Sequence, residues 1–581
     1  MTLRSWQLRA VIFLLTVGGS AVQAQDKPNV LFISVDDLND WVGCLGGHPQ
    51  AKTPNLDRLA ASGMLFTNAH CPAPACNPSR GAIMTGVSPH VSGLYDNRQQ
   101  MRERMPDTVL LPKYFSNHGY WSAGSGKLLH YFIDAESWDK YYPPKETEDP
   151  FPRTHYPSPR PVSLPRGGPW QYVETDWAAL DITEDEYGGD CLVADWVGEQ
   201  LSREHEKPFF LACGIYRPHE PWFVPKEYFE PFPIDQIQLP PGYLKDDLDD
   251  LPPAGKKRGP NRYFAHIQEQ GQWKEAIQGY LASIYFADTM VGRVLDALEN
   301  GPNSQNTIVI LWSDHGWHLG EKQHWQKFTG WRVCTRVPLM VRVPKGTIGL
   351  EAGTRPGSQS DAPVNLLSLF PTLVELAGLP AQPTNDGPSL LPLLKNETVD
   401  WPHVSVTFLG RPGNFGLSDR RYRYIAYDNG DEELYDIESD PHEWNNLAEE
   451  DGVQEVLGKL KALAPAEFVE YQNASVASLP KLEWIQLENG AEKEMAPASK
   501  PDGNRFSVVF SNKAEKPVRV FWMNRKGEPR PYGTLEEGWS KPYQTRPGAV
   551  WMITDIDENP LGYFEVGDRT AHAEIPRFTE K

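Results

Sequence analysis

The sequence predicts an α/β enzyme built on a doubly wound, mostly parallel sheet, followed by a smaller α+β unit and a separate β-sandwich. Three observations carry this. Residues 30–35 (VLFISV), 208–215 and 307–312 are continuous apolar runs, the pattern of strands buried on both faces. Residues 275–299 repeat apolar side chains at helical spacing, from Ile277, Leu281 and Ile284 to Val294, Leu295 and Leu298. The apolar runs also end on chemically capable residues: Asp36-Asp37, Arg217-Pro218-His219 and Asp314-His315. Functional groups gather in this way just beyond the carboxyl ends of strands in open α/β sheets.

The elements follow in order. Arg4 and Arg9 precede a short apolar run at residues 10–17, and Val22-Gln23-Ala24 offers small residues for cleavage. Residues 1–24 therefore read as an export signal, which sends the protein to the periplasm or out of the cell. No later stretch is long and apolar enough to span a membrane. After the first strand, Thr53-Pro54 opens a helix that Gly63 closes. Cys76-Asn77-Pro78-Ser79-Arg80 then begins a further helix, with Pro78 in its first turn, so Cys76 sits where free N–H groups and the helix dipole favour an anion. Residues 119–123 form a short strand leading to Lys127 and His130. Residues 141–170, rich in proline, read as a long loop shaping a pocket, and residues 231–262 as a second such excursion. The catalytic unit is expected to run over residues 25–345 and the α+β unit over 346–470, with strands near 421–425 and 433–436. Residues 471–503 read as a linker, and 504–581 as the sandwich.

Composition sets bounds on function. At 581 residues the chain exceeds one ordinary core, and 40% hydrophobic residues make it globular. The formal net charge of -21 excludes nucleic acid or an anionic membrane as a bulk partner. Any anionic substrate must then be held by local cations. Six cysteines (Cys44, Cys71, Cys76, Cys191, Cys213 and Cys334) are too few for a disulfide framework in an exported chain of this length.

Asp36, Asp37 and Asp314 supply hard oxygen ligands, which suit calcium best and magnesium second. With arginine and lysine side chains to neutralise charge on the non-bridging oxygens, such a set suits cleavage of a tetrahedral anionic ester. Taken alone, Cys76 would more often be a buried structural thiol, and Lys327, between Trp325, Phe328 and Trp331, a snorkelling side chain.

The run at Cys76 resembles the sulfatase signature C-x-P-S-R, in which the cysteine is oxidised to formylglycine. Pro28-Asn29-Val30, residues 53–60, Gly126-Lys127, Arg217-Pro218-His219, residues 314–317, Lys327, residues 434–436 and Asp440-Pro441 extend the resemblance over 28–447. The chain is similar to type I sulfatases of the alkaline-phosphatase-like fold, and within them to iduronate-2-sulfatase-like members. Met84 stands where the longer signature has leucine, a nearly volume-conserving exchange. The resemblance implies that Asp36, Asp37, Asp314, His315 and the modified Cys76 hold the metal. One hydroxyl of the formylglycine hydrate would attack sulfur and the other expel sulfate. Arg80 and Lys127 would hold hydrate and sulfate, His130 would accept a proton, and His219 and Lys327 would contact the sulfate and leaving oxygen. Partners implied are a sulfated oligo- or polysaccharide and a formylglycine-generating maturation enzyme. Trp317 and His318 are candidate sugar contacts.

Val520-Phe521-Trp522, Gly527-Glu528-Pro529, Pro531-Tyr532 and Val550-Trp551 resemble the von Hippel–Lindau β domain. In that family a pocket corresponding to Trp522, Tyr532, Thr545 and Trp551 binds a hydroxyproline peptide, and Ala549 here replaces its histidine. The module is expected to bind a protein or glycan partner, or to clamp the catalytic unit. Two other functions fit the sequence: a phosphate or phosphonate ester hydrolase on the same fold, and a catalytically silent binding protein organised around the sandwich.

Overall fold

The structure is a computed structural model; it describes residues 27–147, 149–157, 161–165, 174–473, 476, 479–487, 495–501, 506–567 and 570–577. The expected export signal lies outside the described residues. Among them no helix is long and apolar enough to cross a membrane.

The catalytic unit is organised by an eight-stranded sheet. Its strands are β1 (Asn29–Val35), β2 (Met64–Phe66), β3 (Trp121–Gly126), β4 (Lys140–Tyr142), β5 (Phe209–Ile215), β6 (Thr307–Ser313), β7 (Leu339–Arg342) and β8 (Ser358–Ser360), in the spatial order β8-β2-β7-β6-β1-β5-β3-β4. β1 is central and parallel to β5 and β6, while β7 runs antiparallel to both its neighbours, β2 and β6.

The continuous apolar runs are explained by burial on two sides. In β1, Leu31, Ile33 and Val35 face one core, and Val30 and Phe32 face another. The first core is closed by α1 (Pro54–Ser62), α3 (Asp190–Leu201) and the long α4 (Trp273–Glu299). The second is closed by α2 (Cys76–Thr85) and α5 (Leu369–Leu376). A strand with no wet face must be apolar at every position, which is why period-two alternation is missing.

Two features of this unit differ from the sequence reading. Lys140–Tyr142, expected in the proline-rich loop, is the edge strand β4 beside Ala123–Ser125. β8 pairs with β2 beyond residue 345, so the large sheet draws on chain assigned to the second unit.

The second unit contributes a four-stranded antiparallel meander: β9 (Ser405–Phe408), β10 (Phe415–Ser418), β11 (Tyr422–Ala426) and β12 (Glu432–Asp436). It covers α6 (Gln454–Ala462) through Leu457 and Leu460. Its buried Arg423 donates from Nε to the Gly330 carbonyl at 3.0 Å, and Glu433 accepts from the Trp331 indole at 2.8 Å. The meander thus braces the loop that carries Lys327.

The C-terminal sandwich contains β13 (Phe506–Asn512), β14 (Val518–Met523), β15 (Pro529–Leu535), β16 (Ser540–Thr545), β17 (Val550–Thr554), β18 (Pro560–Glu565) and β19 (Ala571–Ile575). One sheet runs β18-β17-β14-β15, extended at β18 by Ile485–Gln486 from the expected linker, and the other runs β16-β13-β19. The six cysteines are free thiols.

At the end of β5, a Cβ on Gly214 would lie 2.5 Å from backbone atoms of Lys127, too close for any heavy atom. Gly214→Ala is expected to push Lys127 out of position, costing about 1–3 kcal/mol of stability and most activity. Thermal unfolding and sulfate-ester turnover of the variant check this.

Candidate active site

The carboxyl ends of β1, β3, β5 and β6 and the N-terminus of α2 meet at one point. Cys76 is the first residue of α2, and its sulfur is fully buried. The Lys327 Nζ lies 3.1 Å from this sulfur, the His315 Nε2 3.3 Å and the Lys127 Nζ 3.7 Å. Burial by itself raises a thiol, but Lys127, Lys327 and His315 outweigh it and hold Cys76 well below its ordinary value.

Asp36 and Asp37 leave β1 on opposite errands. Asp36 accepts from Arg80 at 3.0 Å and from Lys127. Burial pushes its carboxyl up, yet these two cations together keep it below the usual carboxylate range. Asp37 adopts a left-handed φ of 58°, a conformation a non-glycine side chain takes only at a cost of about 1–3 kcal/mol. Its geometry is held by the Tyr280 hydroxyl, which donates to the Asp37 carbonyl at 2.8 Å, and by the Asp37 N–H, which donates to Asp314 Oδ1 at 3.1 Å. The carboxylate then receives Lys327 at 2.7 Å on Oδ1, while Oδ2 is buried with no hydrogen-bond partner.

One donor atom each from Asp36, Asp37, Cys76 and His315 lies within 4.8 Å of the other three. A buried carboxylate oxygen without a partner, at the edge of such a group, is the signature of a cation site. The donors fit calcium or magnesium. Asp314 is adjacent, with Oδ2 3.4 Å from His315 Nε2, and it accepts from Arg80 Nε at 2.8 Å. Burial raises Asp314 to about 6 against the opposing charges of Arg80 and His315, and the neighbouring Asp36 and Cys76 add to the rise.

Arg80 is the structural surprise. The resemblance implied that it holds hydrate and sulfate. In the structure its fully buried guanidinium is spent on Asp36, Asp314, the Lys127 carbonyl and Ser34 Oγ. It clamps ligands to one another.

A family model described as sulfatase matches residues 28–379, and one for the C-terminal region of N-sulphoglucosamine sulphohydrolase matches 320–465. The chain belongs to the sulfatase family. A VHL beta domain model matches residues 499–562. The chain is 42% identical over 451 residues to a sulfatase of Formosa agariphila, covering 76% of this chain and 87% of that one. It is 33% identical over 418 residues to the iduronate 2-sulfatase of Homo sapiens, covering 64% and 73%. Among solved structures, a complex with D-glucosamine-2-N,6-O-disulfate, described as its substrate, superposes with a TM-score of 0.57 at 22% identity, covering 75% of this chain and 97% of that one. The protein is thus a sulfuric ester hydrolase.

In this sulfatase the remaining expected residues also converge. His130 lies against Cys76; burial lowers it to about 4, and its Nδ1 has no hydrogen-bond partner. His219 Nε2 is 3.7 Å from Asp37 Oδ2; burial opposes protonation, but Asp37 outweighs it and raises the imidazole. His130 is half-buried and His219 and Lys327 are each 6% exposed, whereas Asp36, Asp37, Cys76, Lys127, Asp314 and His315 are sealed at 0%, so a substrate reaches the site from the side that carries His130, His219 and Lys327.

Lys327 is no snorkelling lysine, since its ammonium ends between Asp37 and Cys76. Trp317 is packed 5.3 Å beneath that ammonium, and His318 is buried with Nε2 bonded to Thr329 at 2.6 Å, so His318 contacts no sugar. Sequence reasoning missed Tyr131 and Tyr216, whose rings flank the Lys127 ammonium at 5.0 and 5.1 Å, and Tyr280, hidden in the apolar stripe of α4.

Arg80→Lys keeps the charge but cannot reach two carboxylates and a carbonyl at once. It is expected to destabilise the catalytic unit by about 3–5 kcal/mol, the cost of stranding a buried charge, read as a lower melting temperature with calcium held constant. A melting temperature equal to the parent's would contradict the clamp.

Proposed function

We propose that this protein is an exported, formylglycine-dependent sulfatase that removes sulfate from a sulfated sugar or glycan, with 2-sulfated uronates the leading substrate class. The observation that carries it is the Cys76 sulfur, which stands where the oxygens of a formylglycine hydrate would stand. It lies between Lys327, His315 and Lys127 and beside a set of donors able to hold one cation. The similarity to iduronate 2-sulfatase supports the substrate class.

Asp36, Asp37, His315 and the modified Cys76, with Asp314 alongside, would hold calcium. Bound there, calcium would supply positive charge to a sulfate oxygen and to the nucleophile. The aldehyde made from Cys76 would supply, as its hydrate, an oxygen nucleophile that can later leave with the aldehyde restored.

The chain's own side chains do the rest. Lys327 and Lys127 place ammonium groups where charge gathers on the sulfate's non-bridging oxygens. His219, whose protonated form Asp37 favours and which is open to the approach side, is positioned to give a proton to the leaving alcohol. His130, kept neutral by burial, is the acceptor for the proton released as the hydrate collapses. Because Cys76 and every residue of α2 are buried in the fold, an oxidising maturation enzyme would have to act on the chain before α2 packs.

Two results are expected. The tryptic peptide bearing Cys76 from active enzyme should be lighter than encoded, and an intact thiol in fully active protein would overturn the reading. Cys76→Ala should lower sulfate release about 1,000-fold or more and His219→Ala about 100-fold, measured on a panel of 2-O- and 6-O-sulfated saccharides. Preference for the 6-O-sulfated members would overturn the uronate assignment and leave the catalytic one standing.

A further inference from the structure

A cleft of about 700 Å³ opens in the C-terminal sandwich, lined in part by Trp522, Tyr532, Trp551, Arg530 and Arg546. Its floor is aromatic. Trp551 belongs to the sandwich core, with its indole N–H donating to Thr545 Oγ1 at 2.8 Å, and Trp522 sits opposite it across β14 and β17. The Tyr532 ring meets Trp551 edge-on at 4.8 Å yet remains 46% exposed.

The rim is cationic. Among the described residues lining the cleft are Arg525, which donates to the Pro501 carbonyl at 2.9 Å, Lys526, Arg530, Arg546 and one carboxylate, Glu528, which is shared between Asn524 at 2.8 Å and Arg530 at 3.2 Å. Four cations gathered in one cleft of a chain with net charge -21 need a reason. The strand that presents Arg530 and Tyr532 gives part of it. β15 is the edge of its sheet, and every residue from Pro529 to Thr534 is exposed, so these side chains are not required for packing.

An exposed ring takes the apolar face of a sugar, and guanidinium groups take sulfate through charge-assisted pairs. We propose that this cleft is a second saccharide site, in which a sulfated sugar unit stacks on Tyr532 and places its sulfate against Arg530 and its cationic neighbours. The inference rests on the sulfated-glycan reading of the catalytic site and adds a role for the module. A polymer held here raises the local concentration of its remaining sulfate groups, whereas a small ester gains nothing. Ala549 lines the cleft where the peptide-binding relative has histidine, which removes a polar partner for a hydroxyproline.

The full-length protein and two variants at exposed positions, Tyr532→Ala and Arg530→Gln, test this by affinity electrophoresis in gels containing dextran sulfate or unsulfated dextran. The parent should be retarded by dextran sulfate alone, and each variant should bind it about tenfold more weakly. KM on a sulfated polysaccharide should rise in the variants with kcat unchanged, and hydrolysis of 4-nitrophenyl sulfate should not change. Equal retardation of parent and variants, retardation by unsulfated dextran, or binding of a hydroxyproline peptide in place of dextran sulfate would overturn the proposal. A parent that hydrolyses no sulfate ester but is retarded by dextran sulfate would sink the catalytic reading and spare this one.

Discussion

Arg80 reaches from the first turns of α2 to the ends of three strands. Its guanidinium donates to Asp36 after β1, to Asp314 after β6 and to the Lys127 carbonyl after β3, with no exposure to water. An isolated buried cation is costly, and so are two isolated buried carboxylates. Each is tolerable only with the others in place, so the three strand ends and the helix bearing Cys76 have one low-energy arrangement. The donor atoms around Cys76 inherit that precision.

The same economy explains the strained backbone nearby. Asp37, Tyr131, Gln326 and Phe328 all have positive φ, and each is, or directly adjoins, a residue whose side chain enters the site. Conformations of this kind persist where surrounding contacts outweigh them. Tyr280 and Asp314 fix the backbone of Asp37, and the Pro74 carbonyl takes the Phe328 N–H at 3.1 Å. Lys327 therefore projects inward between two residues that turn the chain sharply, on a loop braced by Arg423 and Glu433 of the small meander. The second unit supports the site through that loop.

Much of this was legible in the sequence. Strands buried on both faces leave uninterrupted apolar runs, and the residues ending them had to lie together at one edge of a parallel sheet. Asp36, Asp37, Asp314 and His315 were readable for that reason, and Cys76 because its signature is dense. What escaped depended on partners distant in the chain. Lys140–Tyr142 is too short to show a strand pattern before it pairs, and β8 has no apolar run of its own. Arg80 looks like any substrate-binding cation until the two carboxylates that consume it are in view. Tyr280 occupies a core position of α4 and reveals its polar task only through the hydroxyl it extends to Asp37.

The central claim is that Asp36, Asp37, Cys76 and His315 form one cation site built around the converging strand ends. Calorimetric titration of chelator-treated full-length protein with calcium tests it most directly, with Asp37→Asn as the comparison because the buried Asp37 Oδ2 has no hydrogen-bond partner. The account predicts one calcium per chain in the parent and binding weakened at least about 100-fold in the variant. No saturable calcium or magnesium binding in the parent, or equal affinity in Asp37→Asn, would contradict it.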